Sequence, residues 1–228
     1  MWWNSFKLFQ PSSWLGYANK KEHLDDFPRH QRRFIKSHLP LSLLPPSLLT
    51  SAKVVYVVRN PRDVMVSYYH HHRLINAHGY VGDLPNFVRR FIRNEIMMGP
   101  FFPHAEEAWA LKDHPNILFI FYEDMKRDLS SVIARVSKFL EAPLTQDQVE
   151  RLVEHLDIKN FRNNPAVNVT DVGKKLGMMT GPGNFIRKGQ VSDDTRARET
   201  FNIIKFKSEK MLGVGEIEHG LNLDGGQI

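Results

Sequence analysis

The apolar positions of this chain fall into short continuous runs and longer helical stripes. Lys53 to Arg59 (KVVYVVR) contains five consecutive apolar residues, most of them β-branched, and Asn116 to Tyr122 (NILFIFY) repeats the pattern. Runs this short predict strands buried on both faces, as in a parallel sheet. Arg33 to His38 (RFIKSH) is a third, shorter strand candidate, stopped by Pro40, and the Pro-rich stretch behind it reads as a turn or a short helix. After Arg59 the period changes. Asn60-Pro61-Arg62-Asp63 supplies a cap, a proline at the first helical position and a carboxylate at the positive dipole end, so a helix is predicted through VMVSYYHHHRLI.

Further helices are predicted over about Leu84–Met98, with Phe87, Val88, Phe91 and Ile92 on one stripe, and over about Pro103–Lys112. Behind Tyr122, Val132, Ile133, Val136, Phe139 and Leu140 share a helical face. Thr145 and Gln148 form a capping-box pair ahead of Val149, Leu152, Val153 and Leu156. From Asn163 onward Gly and Pro become frequent and periodicity fades. Strand, turn and helix N-terminus occurring twice predict a doubly wound, mostly parallel α/β sheet with flanking helices. Its ligand is expected beyond the strand C-termini. No linker divides the chain, so residues 1–228 read as one domain.

Composition narrows the classes. With 228 residues, 42% hydrophobic and 25% charged, the chain has the apolar content of a folded domain. A net charge of +6 suits an anionic ligand, but the basic residues are dispersed and no nucleic-acid motif stands out. The absence of Cys excludes disulfides, a thiolate nucleophile and Cys-ligated metals, and is consistent with the cytoplasm. No apolar run approaches the 18 or so residues of a membrane span, and the first residues lack a secretory apolar stretch, so no membrane partner is expected.

Four groups of residues have candidate chemistry. Arg59, at the end of the strongest strand, faces the free N–H groups of the following helix and is placed to hold a phosphate, with Ser67 two turns on as a further donor. The competing reading pairs Arg59 with Asp63. Phe185 to Gly189 (FIRKG) sets Arg187 and Lys188 beside Gly189, where backbone approaches an anion closely, although a solvated pair of charges is the commoner arrangement. His38 follows Lys36 by two residues and has the chemistry of a general base. The His70-His71-His72 run invites a metal, but consecutive helical residues are spread about 100° apart, so the three cannot converge on one ion. His104 and Glu107 lack a third ligand and read as surface residues. No metal is expected.

In order, IKSHLPLSLLP, KVVYVVRNPRDVMVSYYHHHRL, HPNILFIFYEDMKRD, FRNNPAVN and NFIRKG resemble the cytosolic sulfotransferases over about residues 34–190. The resemblance implies a P-loop-like sulfotransferase fold and 3′-phosphoadenylyl sulfate (PAPS) as donor. It implies His38 as the base for a small phenol or alcohol hydroxyl, and Lys36 as the group neutralising the transferring sulfuryl. Arg59, Ser67, Arg187, Lys188 and the backbone of Gly189 would bind the 3′-phosphate, with Tyr122 on the adenine side. The family's K-T-H-L-P reads Lys36-Ser37-His38-Leu39-Pro40 here. The family's T-Y-P-K-S-G-T-T-W phosphate loop and C-terminal dimer signature are not found, and residues 1–33 and 191–228 are divergent. An alternative therefore stands: a catalytically inactive, truncated member that retains partial 3′-phosphonucleotide binding.

Overall fold

The structure, a computed structural model, describes Arg32 and residues 34–189. Two strands, β1 (Val54–Val58) and β2 (Ile117–Phe121), pair in parallel, in register from Val54 opposite Ile117 to Val58 opposite Phe121. A parallel pair needs a long crossover. Three helices supply it: α2 (Pro61–Leu74), α3 (Leu84–Ile92) and α4 (Phe101–Ala110), preceded in the chain by the short α1 (Leu48–Ser51). Behind β2 follow α5 (Tyr122–Arg127), α6 (Leu129–Phe139), α7 (Gln146–Leu156), α8 (Ile158–Asn163) and α9 (Thr170–Lys175). This is the α/β arrangement expected, a parallel sheet flanked by helices. Among the described residues no helix is long and apolar enough to cross a membrane.

Local chemistry explains where the helices begin. The Asn60 side chain accepts from the Arg62 N–H at 3.0 Å, with Pro61 at the first helical position. Thr145 and Gln148 close the expected capping box. The helix expected behind β2 divides at Asp128, which leaves α5 and caps α6 by accepting from the Ser131 N–H at 2.9 Å.

Three apolar clusters hold these elements. Val58, Phe119 and Phe121 of the strands pack on Ala105 and Ala108 of α4. Met65 of α2 packs on Phe87, Val88 and Phe91, the predicted stripe of α3. Leu74 and Ile75 pack on Met179, with Phe185 against them, which ties the glycine-rich stretch to the end of α2. Fully burying one such side chain contributes about 1.5–3 kcal/mol.

Several expectations are corrected. Residues 34–38 form no strand, and Phe34 and Ile35 are 48% and 71% exposed. A strand exists only through its ladder, and among the described residues nothing pairs with this segment. Nor is β1 buried on both faces: Val55 and Val57 are 38% and 50% exposed, while β2 carries the fully covered pattern. The helix expected to reach Met98 ends at Ile92, because Asn94 takes a left-handed φ of 59°. Its successor spans Phe101–Ala110 rather than Pro103–Lys112.

Candidate functional site

The parallel register fixes the first part of the site. Val58 and Phe121 are partners, so the residues after them, Arg59 and Tyr122, leave the sheet side by side, and the Arg59 guanidinium lies 4.5 Å from the centre of the Tyr122 ring. The turn below them is pinned from the first turn of α5: the Asn60 N–H donates to Oε1 of the buried Glu123 at 2.9 Å. One turn into α2, Asp63 meets Arg59 at 3.3 Å, so the competing reading of that pair is realised. Ser67 follows one turn further along α2, half-buried.

The FIRKG loop comes to the same place. The Arg187 guanidinium is held below its ordinary value first by burial and then by the charge of Arg59, while Asp63 acts in the opposite sense. Arg187 therefore lies within electrostatic reach of both. His70, on the face of α2 one turn beyond Ser67, is lowered by burial and then by Arg187, Arg73 and Lys188. The backbone of the loop is fixed by groups outside it. The Phe185 N–H donates to Oγ1 of buried Thr170 at 2.9 Å, and Nη2 of Arg162 donates to the Arg187 carbonyl at 2.6 Å. Gly189 has a φ of +63°, and a Cβ there would lie 2.5 Å from Cδ1 of Ile158. Only glycine fits without displacing that side chain.

Lys36 and His38 sit on an exposed stretch, yet burial of its ammonium end holds Lys36 below its ordinary value. Both come within electrostatic reach of His71, whose imidazole is pushed from 6.5 down to about 4 by burial, then by His78, His72, His38 and Lys36. His71 also contacts Phe185, with ring centroids 5.8 Å apart. The candidate residues thus line one helix. Arg59, Tyr122 and Arg187 gather toward its N-terminal end, Lys188 lies within electrostatic reach of His70 further along, and Lys36 with His38 within reach of His71. Asp63 and His71 are separated by eight residues, about 12 Å along a helix axis at 1.5 Å per residue.

His104 is drawn into the sheet cluster instead, its Nδ1 2.8 Å from the Tyr56 hydroxyl, and takes no part in this site. The sequence did not single out Arg162, Thr170 or Ile158, which position the site. Arg162 stands within the quoted FRNNPAVN run, the one local signal that pointed to it.

A family profile described as the sulfotransferase domain matches residues 2–204. Luciferin sulfotransferase of Photinus pyralis is 40% identical over 180 residues, which cover 76% of this chain and 48% of that protein. Sulfotransferase 1A1 of Canis lupus familiaris is 36% identical over 207 residues, covering 88% and 68%. Among solved structures, retinol dehydratase in complex with retinol and PAP superposes with a TM-score of 0.72 at 39% identity, covering 88% of this chain and 60% of that one. The chain thus spans about half to two thirds of the length of these relatives. A profile match over most of the chain, with relatives above 30% identity and the same fold, establishes that the chain belongs to the sulfotransferase family.

Proposed function

We propose that this protein is a sulfotransferase that moves a sulfuryl group from PAPS to the hydroxyl of a small phenol or alcohol, with His38 as the general base. The observation that carries the reading is the convergence of cations from segments far apart in sequence at the C-terminal ends of two parallel strands. There Arg59, stacked on Tyr122, lies within electrostatic reach of Arg187. Two guanidiniums forced together and partly buried repel each other, and a dianionic phosphate ester removes that repulsion while taking up their hydrogen bonds. The donor set therefore fits a 3′-phosphonucleotide. The solved relatives are consistent with it, since retinol dehydratase was crystallised with PAP, there called an inactive cofactor, and with retinol or androsterone.

When bound, PAPS supplies the electrophilic sulfuryl group. The following roles fall to this chain's own residues. Arg59, Arg187 and Lys188 bind the 3′-phosphate, with Ser67 as a further donor and Tyr122 beside the nucleoside. His38, beyond the other end of the row, accepts the proton of the acceptor hydroxyl at an unprotonated ring nitrogen. Lys36 places positive charge where negative charge develops. Asp63, which pairs with Arg59, and His71, within reach of His38, stand about 12 Å apart along α2, on the scale of a nucleotide with a 5′ extension. A chain without Cys suits a reducing compartment, and the cytoplasm is the proposed location.

The test is an assay of the purified chain with PAPS and a panel of phenols and alcohols, beside His38→Ala. Donor-dependent sulfation that falls about 10²–10⁴-fold in the variant, with PAP binding retained, is the expected result. Unchanged turnover in His38→Ala removes the base, and failure of the parent chain to bind PAP removes the whole reading.

A further inference from the structure

Outside the site just described, three histidines meet where α2 ends. His71 and His72 are consecutive on its last turn, and His78 closes the 3₁₀ turn Asn76–His78 that follows. One ring nitrogen from each lies within 4.8 Å of the other two. Nδ1 of His71 and Nδ1 of His78 are buried and make no hydrogen bond, and Nε2 of His72 is buried without a well-formed one, although the Met97 carbonyl also lies near that ring. Buried polar atoms in folded proteins almost always have partners, and orphans gathered in one place call for a shared one. We propose that His71, His72 and His78 form a binding site for a borderline transition-metal dication of the Zn²⁺ class.

The tautomer of the most buried member supports this. Nδ1 of His72 lies 2.9 Å from the Tyr68 carbonyl, which only accepts, so Nδ1 carries the proton and Nε2 presents its lone pair. Orientation of a ligating imidazole by a backbone carbonyl on its other nitrogen is the usual outer-shell arrangement at metal sites.

Tetrahedral coordination with Zn–N bonds of about 2.0–2.1 Å sets ligand nitrogens about 3.4 Å apart. The cluster therefore needs to contract by at most about 1.4 Å, which small rotations of the two half-buried rings, His71 and His78, provide. His78 is already close, its ring centroid 4.3 Å from that of His72 and 5.0 Å from that of His71. An all-nitrogen set favours Zn²⁺, Cu²⁺ or Ni²⁺ over Mg²⁺ and Ca²⁺, and three protein ligands leave a fourth position for water. An open cleft of about 450 Å³ lined by His72, Asn76, Gly79 and Tyr80 gives an ion a route from solvent. A bound ion would staple the end of α2 to the turn after it. His71 touches Phe185, so the staple lies beside the loop that carries Arg187. The reading does not depend on sulfuryl transfer.

The experiment titrates the untagged, chelator-stripped chain with Co²⁺, read by its visible d–d absorption, followed by Zn²⁺ displacement against a chromophoric chelator. One equivalent with the intense spectrum of four-coordinate Co²⁺ is expected. His78→Ala should weaken binding by more than about 100-fold, since outer-shell changes alone cost about 10–100-fold. His78→Cys should retain it and add a thiolate charge-transfer band, and this variant carries the test if His78→Ala fails to fold. His70→Ala should bind as the parent does. Absence of stoichiometric binding, an unchanged affinity in folded His78→Ala, or an equal loss in His70→Ala overturns the site.

Discussion

Replacing Arg187 with Ala separates the proposed 3′-phosphate subsite from the rest of the nucleotide. The backbone beneath the side chain is held by other groups: Arg162 on the Arg187 carbonyl, Thr170 on the Phe185 N–H, and Ile158 against Gly189. Truncation at Cβ therefore removes the guanidinium and leaves the loop where it is. A charge-assisted hydrogen bond contributes about 1.5–3 kcal/mol, or about 10- to 150-fold in Kd. Arg187 is partly buried, so screening by solvent is incomplete, and the middle of that range, about 30-fold, is the expected loss for adenosine 3′,5′-bisphosphate. Adenosine 5′-monophosphate, which lacks the 3′ group, should lose less than about threefold, no more than a screened, unpaired surface contact is worth. Isothermal titration calorimetry of both ligands on parent and variant gives the comparison. An equal loss for the two ligands, or none for either, refutes the placement of Arg187 on the 3′-phosphate.

Other expectations follow from single contacts. Gly189→Ala places a Cβ at a left-handed residue, which costs about 1–2 kcal/mol, and drives it into Ile158, so bisphosphate binding should weaken by about tenfold. Adding Ile158→Ala should restore the steric part of that loss and leave the backbone part, as titration of the double variant will show. Phe87 has no exposed surface at the centre of the α2–α3 cluster, and Phe87→Ala should lower stability by about 3–5 kcal/mol, read from the urea midpoint at unchanged slope. Glu123→Ala leaves the buried Asn60 N–H without its acceptor and should cost about 1–3 kcal/mol, whereas Glu123→Gln keeps an acceptor oxygen and should cost less. Equal denaturation midpoints for the two Glu123 variants would mean that the hydrogen bond does not hold the turn.

What was legible in the sequence is what short-range chemistry decides. The Asn60-Pro61 start of α2, the Thr145–Gln148 box and the stripe of α3 depend on residues within a turn or two of each other, and all three are present. The ends of elements were less legible. Asn94 leaves the helical region without a Gly or Pro to announce it, and RFIKSH has strand composition but no partner among the described residues. The stretch from Leu176 to Gly189 carries no periodicity because isolated apolar anchors, Met179 and Phe185, and polar contacts hold it rather than a continuous apolar face. The Asn76 side chain donates to the Gly177 carbonyl at 2.6 Å and accepts from the backbone and hydroxyl of Thr180. Convergence of the histidines was missed for a related reason. The argument from 100° spacing keeps three consecutive residues of one helix from sharing an ion, but two neighbours, His71 and His72, can be joined by a third ligand from outside, and His78 approaches from beyond the helix end.

The carboxylate inside the cation cluster bears on selectivity. Asp63 pairs with Arg59 and is within reach of Arg187, so a phosphate arriving there meets an anion already in place. A subsite built only to attract negative charge would omit it. On the proposed reading, in which Lys188 joins Arg59 and Arg187, three cations less Asp63 leave an excess of two positive charges, which a phosphate monoester matches with about −1.5 to −2 at pH 7. A singly charged sulfate ester or phosphodiester under-fills the same excess, and leaves guanidinium repulsion uncompensated. The ion pair that looks like a structural alternative to phosphate binding is therefore compatible with it. On that reading it adjusts the charge of the proposed subsite to a terminal phosphate, while the Asp63 carboxylate offsets the repulsion between Arg59 and Arg187.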